Sequence, residues 1–122
     1  MSRYKDLLVY QKSYGLMLKI YGEASKKIPE EERYGLTSQA KRAATSIPLN
    51  IAEGYGKQAG AKETARFIQM ARGSCSEMTV LVDIMKDLGY ITEEEHEKYS
   101  KGYDEVGKML TGLLRALQQT ND

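Results

Sequence analysis

The chain has 122 residues, 41% of them hydrophobic and 29% charged, which is the size and balance of a single globular domain spanning 1–122. One cysteine, Cys75, excludes an internal disulfide and points to a reducing, cytoplasmic compartment, and one histidine, His96, removes most metal and acid–base chemistry at the outset. No run of about 18 apolar residues is present to span a membrane, and the opening Met1-Ser-Arg-Tyr-Lys-Asp6 lacks the apolar stretch of a secretory signal.

The formal net charge of +1 hides an internal division. Residues 1–36 hold seven basic and five acidic side chains, residues 37–72 six and two, and residues 73–122 five and ten. A basic middle and an acidic C-terminal half suit either an anionic partner or contact between copies of the chain.

Apolar residues recur at helical spacing four times, and no segment alternates as a strand does. In the first helix Leu7, Tyr10, Tyr14, Met17, Tyr21, Ala24 and Ile28 form an expected core stripe about 120° wide, ended by Pro29 and Glu30-Glu31-Glu32. A second stripe, Val9, Leu16 and Ile20, lies apart from it among Lys5, Lys12, Lys19 and Lys27; it is expected to meet a partner subunit. The second helix begins near Thr37 and carries Leu36, Ala40, Ala43, Ile47, Ile51 and Tyr55 on one face. Pro48 lies inside it and is expected to kink or break it, because proline lacks an N–H and clashes with the carbonyl of Ala44.

The third helix keeps the seam Phe67, Ala71, Ser74, Met78, Leu81, Met85 and Leu88, with Gly89 as its stop. The fourth follows Thr92, which with Glu95 matches a capping box, and its seam runs His96, Tyr99, Tyr103, Val106, Leu110, Leu113 and Leu117. Four long helices with short connections predict an all-α, antiparallel up-and-down four-helix bundle.

The chemistry this allows is narrow. Glu93 and His96 make one Glu-x-x-His, but a di-metal bundle needs two and there is no second histidine. Cys75 sits beside an apolar seam, where a thiol acts as a small hydrophobe. No glycine pattern links a strand to a helix as a phosphate loop does. The expectation is a protein that is not an enzyme and needs no cofactor or metal. Arg42, Ser46, Asn50, Glu53, Arg72 and Glu77 lie near the seams and are expected to form a buried polar network fixing helix register. Lys41, Arg42, Lys57, Lys62 and Arg66 cluster around the second and third helices. Such cations serve phosphate contacts with RNA or DNA, or they face the acidic half of a neighbouring copy.

The stretch from Tyr34 to Lys57, and above all Ser46-Ile-Pro-Leu-Asn-Ile-Ala-Glu-Gly54, resembles the four-helix bundle proteins first noticed as reading frames within intervening sequences of bacterial large-subunit ribosomal RNA genes. The similarity continues through Phe67, Ala71, Gly73-Ser74, Glu77, Leu88-Gly89-Tyr90 and the opening Tyr4-Lys5-Asp6-Leu7. It implies an antiparallel bundle assembled as a homopentameric ring. It also implies kinship with the strongly basic accessory proteins of diversity-generating retroelements, whose partners are a reverse transcriptase and nucleic acid. The resemblance carries over no catalytic residue. The function expected is a non-enzymatic oligomer binding structured RNA or an RNA-handling protein; the alternatives are an accessory protein that binds the reverse transcriptase of a diversity-generating retroelement, and a protein scaffold that touches no nucleic acid.

Overall fold

The computed structural model describes residues 3–56 and 60–119, all of them in helices or connections with no strand among them. Helix α1 spans 8–27, α2 Leu36–Gly56, α3 Ala61–Asp87 and α4 Glu93–Gln118. The side-chain pairs give the topology. Ser46 meets Ser74 and Gly54 meets Thr64, so α2 and α3 run antiparallel. Asp83 meets His96, Cys75 meets Tyr103 and Arg72 meets Thr111, so α3 and α4 do as well. Lys27 with Glu95, Tyr99 with Glu23 and Lys12 with Glu105 close α4 back onto α1. The result is an up-and-down four-helix bundle. No helix among the described residues is long and apolar enough to cross a membrane.

The helix ends follow local chemistry. Thr92 accepts from the Glu95 amide at 3.1 Å while the Glu95 carboxylate takes the Thr92 amide at 2.8 Å, the reciprocal capping box. Helix α3 stops in a Schellman motif. Gly89 adopts φ +79, and Gly89 and Tyr90 donate to the carbonyls of Lys86 and Met85. Helix α2 starts at Leu36, one residue before the expected Thr37.

Pro48 neither breaks nor ends α2, which continues in α-helix from Leu36 to Gly56 with Pro48 buried. Packing on both sides of the proline outweighs the one missing backbone bond: Ala44, Ile47 and Ile51 are all fully buried around it.

The sequence expectation for α1 holds only in part: of the expected core stripe Ala24 and Ile28 are buried and Leu7, Tyr10 and Met17 pack against the core, but Tyr14 and Tyr21 are exposed, and the second stripe also turns inward. Val9 is 3% exposed and Ile20 0%, and Leu16 packs at the place where Gly102 lacks a side chain, so Val9, Leu16 and Ile20 face the chain's own core and are not a subunit surface. Leu8, Tyr14, Leu18 and Tyr21 are its exposed large apolar residues. Two features conceal this. Ser13 lies in the middle of the true stripe, fully buried, with its hydroxyl donated to the Tyr10 carbonyl at 3.1 Å. Residues Ile20–Ala24 form a π-helical turn, whose wider winding returns Ala24 and Ile28 to the face that Val9 began.

The expected polar network is also redistributed. Ser46 and Ser74 share a hydrogen bond at 2.8 Å, and Asn50 donates to the Ser46 carbonyl and hydroxyl at 2.9 and 3.0 Å. That is the α2–α3 register lock. Arg42, Glu53 and Glu77 are exposed; each directly precedes a buried residue and so sits about 100° off the core face. Arg72 faces α4 instead and donates to Thr111.

Candidate nucleic-acid interface

The cations expected from sequence do not converge on one patch. Lys41 is half-buried, with its ammonium 5.0 Å from the centre of the Tyr21 ring. Arg42 is exposed beside a groove of about 480 Å³ that Tyr21, Leu49 and Glu53 also line. Lys62 and Arg66 stand at the start of α3, which the Thr64–Gly54 bond fixes at the far end of α2. The rise of the helix therefore separates them from Arg42 by about 18 Å. Arg66 is further occupied: it grips Glu63 with bonds of 3.2 and 2.7 Å and lies over Phe67. Lys57 lies outside the described residues.

A different helix presents the more continuous positive surface. Lys101, Lys108 and Arg115 recur at seven-residue spacing on α4, are all exposed, and lie opposite its buried face of Tyr99, Tyr103, Val106, Leu110 and Leu114. The grooves on both flanks of α4 are basic. On the α1 side Lys12, Lys19, Lys98 and Lys101 surround a cleft of about 250 Å³, where Glu105 takes Lys12 at 3.2 Å. On the α3 side lies a larger groove of about 560 Å³, which includes Arg72, Lys108 and Arg115. Among the described residues none of those three is ion-paired to a carboxylate, whereas Lys12, Lys27, Arg33 and Arg66 all are.

Sequence reasoning missed this face because it summed charge over a whole half of the chain. Three of the ten carboxylates of that half, Glu93, Glu94 and Glu95, sit in the first turn of α4 at the positive pole of the helix dipole, while Asp104 and Glu105 lie between Lys101 and Lys108. The repeat of Lys101, Lys108 and Arg115 was present in the sequence as a signal, averaged away by those carboxylates.

The groups that elsewhere perform catalysis are differently engaged. Cys75 is buried and donates to the Tyr103 carbonyl at 3.1 Å. Burial and the nearby Asp104 carboxylate push its thiol up to about 11, which keeps it protonated and poorly nucleophilic near neutral pH. His96 meets Asp83 at 2.7 Å and Ser100 at 3.3 Å, but both contacts fall on Nε2. A proton relay needs the carboxylate on one ring nitrogen and the nucleophile on the other. Among the described residues no group of three or more His, Cys, Asp or Glu side chains is placed to hold a metal.

A family model described as 23S rRNA-intervening sequence protein matches residues 5–112. Among solved structures, a protein with unknown function from the S23 ribosomal protein family of Bacteroides thetaiotaomicron is similar. It has a TM-score of 0.79 and 23% identity, over 88% of this chain and 98% of that one. At that identity the likeness is one of fold. No curated protein matches the chain.

Proposed function

Since the chain belongs to the 23S rRNA-intervening sequence protein family, we propose that it is a non-enzymatic bundle that binds structured RNA through phosphate contacts. The observation that carries this reading is the outward row of Lys101, Lys108 and Arg115, with no carboxylate of the described residues bonded to any of them. Cations aligned on one helix face with no carboxylate bonded to them are open to a polyanion, which releases its counterions when it is laid along them. Contacts of this kind position nucleic acid without reading its sequence.

The assembly proposed is a homo-oligomer, a ring of five as the family resemblance implies. Its contact surface is the exposed apolar face of Tyr14, Leu18 and Tyr21 on α1 with Leu49 on α2, which is 62% exposed. Tyr21 and Leu49 line the same groove, so this face is continuous between the two helices. Repetition of the α4 row around a ring multiplies the phosphate contacts on one RNA.

Titration against a structured RNA at several salt concentrations tests the reading. Three contacts per protomer predict a log–log salt slope of about −2 to −3 for each protomer engaged. A folded protein that binds no RNA even near about 50 mM salt contradicts it and leaves the protein-scaffold role.

A further inference from the structure

We propose that the groove between α3 and α4 is a track for the sugar-phosphate backbone of a single-stranded RNA segment. This rests on the RNA-binding reading above and names the form of RNA and the atoms that take it.

The groove pairs recessed donors with exposed ones. Arg72 and Thr111 are half-buried at its base, and Ser76, Lys108 and Arg115 are exposed along its rims. Arg72 reaches Thr111 only through a long bond of 3.4 Å, in which Thr111 is the acceptor. The guanidinium thus keeps most of its N–H groups, and the Thr111 hydroxyl keeps its proton to donate. Thr79, also at the wall, has given its proton to the Ser76 carbonyl at 2.7 Å and supplies no donor. Asp104 closes the end toward the acidic pole, so the positive part of the track runs from Lys108 to Arg115.

Glycine keeps the base open. Gly107 lies in the interior of α4, where glycine costs about 1 kcal/mol against alanine. A Cβ there would reach 3.7 Å from the Cys75 sulfur, ordinary contact, so the core does not demand a glycine at this place. A longer side chain would instead fill the groove it lines.

The shape selects the strand. The walls are single helices about 10 Å across, and a duplex resting on their crests meets Lys101, Lys108 and Arg115 but not the recessed Arg72 and Thr111. One strand enters and meets both sets. Among the described residues no exposed aromatic lines the groove, since Tyr103 is fully buried, so the bases gain no stacking platform and the contact is to backbone alone.

The test compares a fluorescent oligouridine single strand of about 12 nucleotides with a blunt RNA duplex of the same length, using intact protein and three variants. Lys108→Gln with Arg115→Gln should weaken single-strand binding at least tenfold and reduce the magnitude of its salt slope by about 1.4. Thr111→Val, which removes no charge and retains the shape, should weaken the single strand several-fold and leave the duplex unchanged. Lys26→Gln with Arg33→Gln removes the same charge from the acidic end and should change neither. Equal losses for single strand and duplex in every variant overturn the track, as do unchanged affinities, and in both cases RNA binding itself stands. If the unmodified protein binds neither RNA, the functional reading falls with the track.

Discussion

Replacing Ile20 with Asp should unfold the protein, whereas Leu18→Asp, two positions away, should leave it folded. Ile20 is 0% exposed within a single chain and Leu18 is 54% exposed. An aspartate at position 20 forfeits the burial of a large aliphatic side chain, about 2–5 kcal/mol, and leaves a carboxylate without a partner in the core, costing several kcal/mol more. That sum rivals the whole stability of a domain, about 5–15 kcal/mol. Circular dichroism of the two variants decides the orientation of α1. If Ile20→Asp stays helical and cooperative and merely falls to a smaller mass in solution, the residue faces a partner and the core assignment is wrong. Leu18→Asp should give that second behaviour, a folded and cooperative chain with a loss of mass and a midpoint lowered only by the lost association, because its face is the proposed contact between copies.

The second large effect is at Gly54, the last residue of the sequence signature Ser46–Gly54. Here α2 and the start of α3 approach so closely that a Cβ would stand 3.0 Å from the Phe67 Cβ and 3.3 Å from the Thr64 carbonyl. Thr64 also donates its hydroxyl to the Gly54 carbonyl at 2.9 Å, which pins the two backbones together. Gly54→Val should therefore destabilise by about 3 kcal/mol, from forced separation and the loss of that bond. Gly73, in the interior of α3, has nothing within 4 Å of where its Cβ would be. Gly73→Ala should raise stability by about 0.5–1 kcal/mol, as helix propensity alone dictates. Denaturant midpoints of the pair test the close approach: equal and favourable shifts in both would show that Gly54 is simply a poor helix former with room to spare.

The helices and their ends were legible because the sequence states them locally. Thr92 with Glu95 and the stop at Gly89 need only a few neighbouring residues, and the seams of α3 and α4 repeat over several turns. What escaped was set by tertiary contact. Ser13 reads as polar, yet its hydroxyl is satisfied by the Tyr10 carbonyl and so can be buried. The tyrosines of α1 read as core, yet Tyr14 and Tyr21 are each 42% exposed. A π-helical turn has no signature in apolar spacing, and it moved the phase of the helix just where the two candidate faces had to be told apart. The break expected at Pro48 does not occur for a related reason: local chemistry opposes a helix there, and burial of the residues around it prevails.

The candidate site shows the same division. Sequence distance suggested that Lys41, Arg42, Lys62 and Arg66 act together, but an antiparallel hairpin joins residues near its turn and parts those far from it. Arg42 and Lys62 accordingly lie at different heights of the bundle, and Arg66 is held by Glu63. Arg72 and Arg115, distant in sequence, face one groove because α3 and α4 run antiparallel. Only the spacing of Lys101, Lys108 and Arg115 was available beforehand, and it needed the fold to show that these residues point outward.

Chemical footprinting of lysine and arginine side chains in the intact protein, with and without bound structured RNA and read by peptide mapping, tests the central claim most directly. RNA bound along α4 and its groove with α3 predicts protection of Arg72, Lys101, Lys108 and Arg115, and none of Lys26 and Arg33 at the acidic end. Protection confined to Lys41 and Arg42, or no protection in a protein that remains folded and holds the RNA, would contradict it.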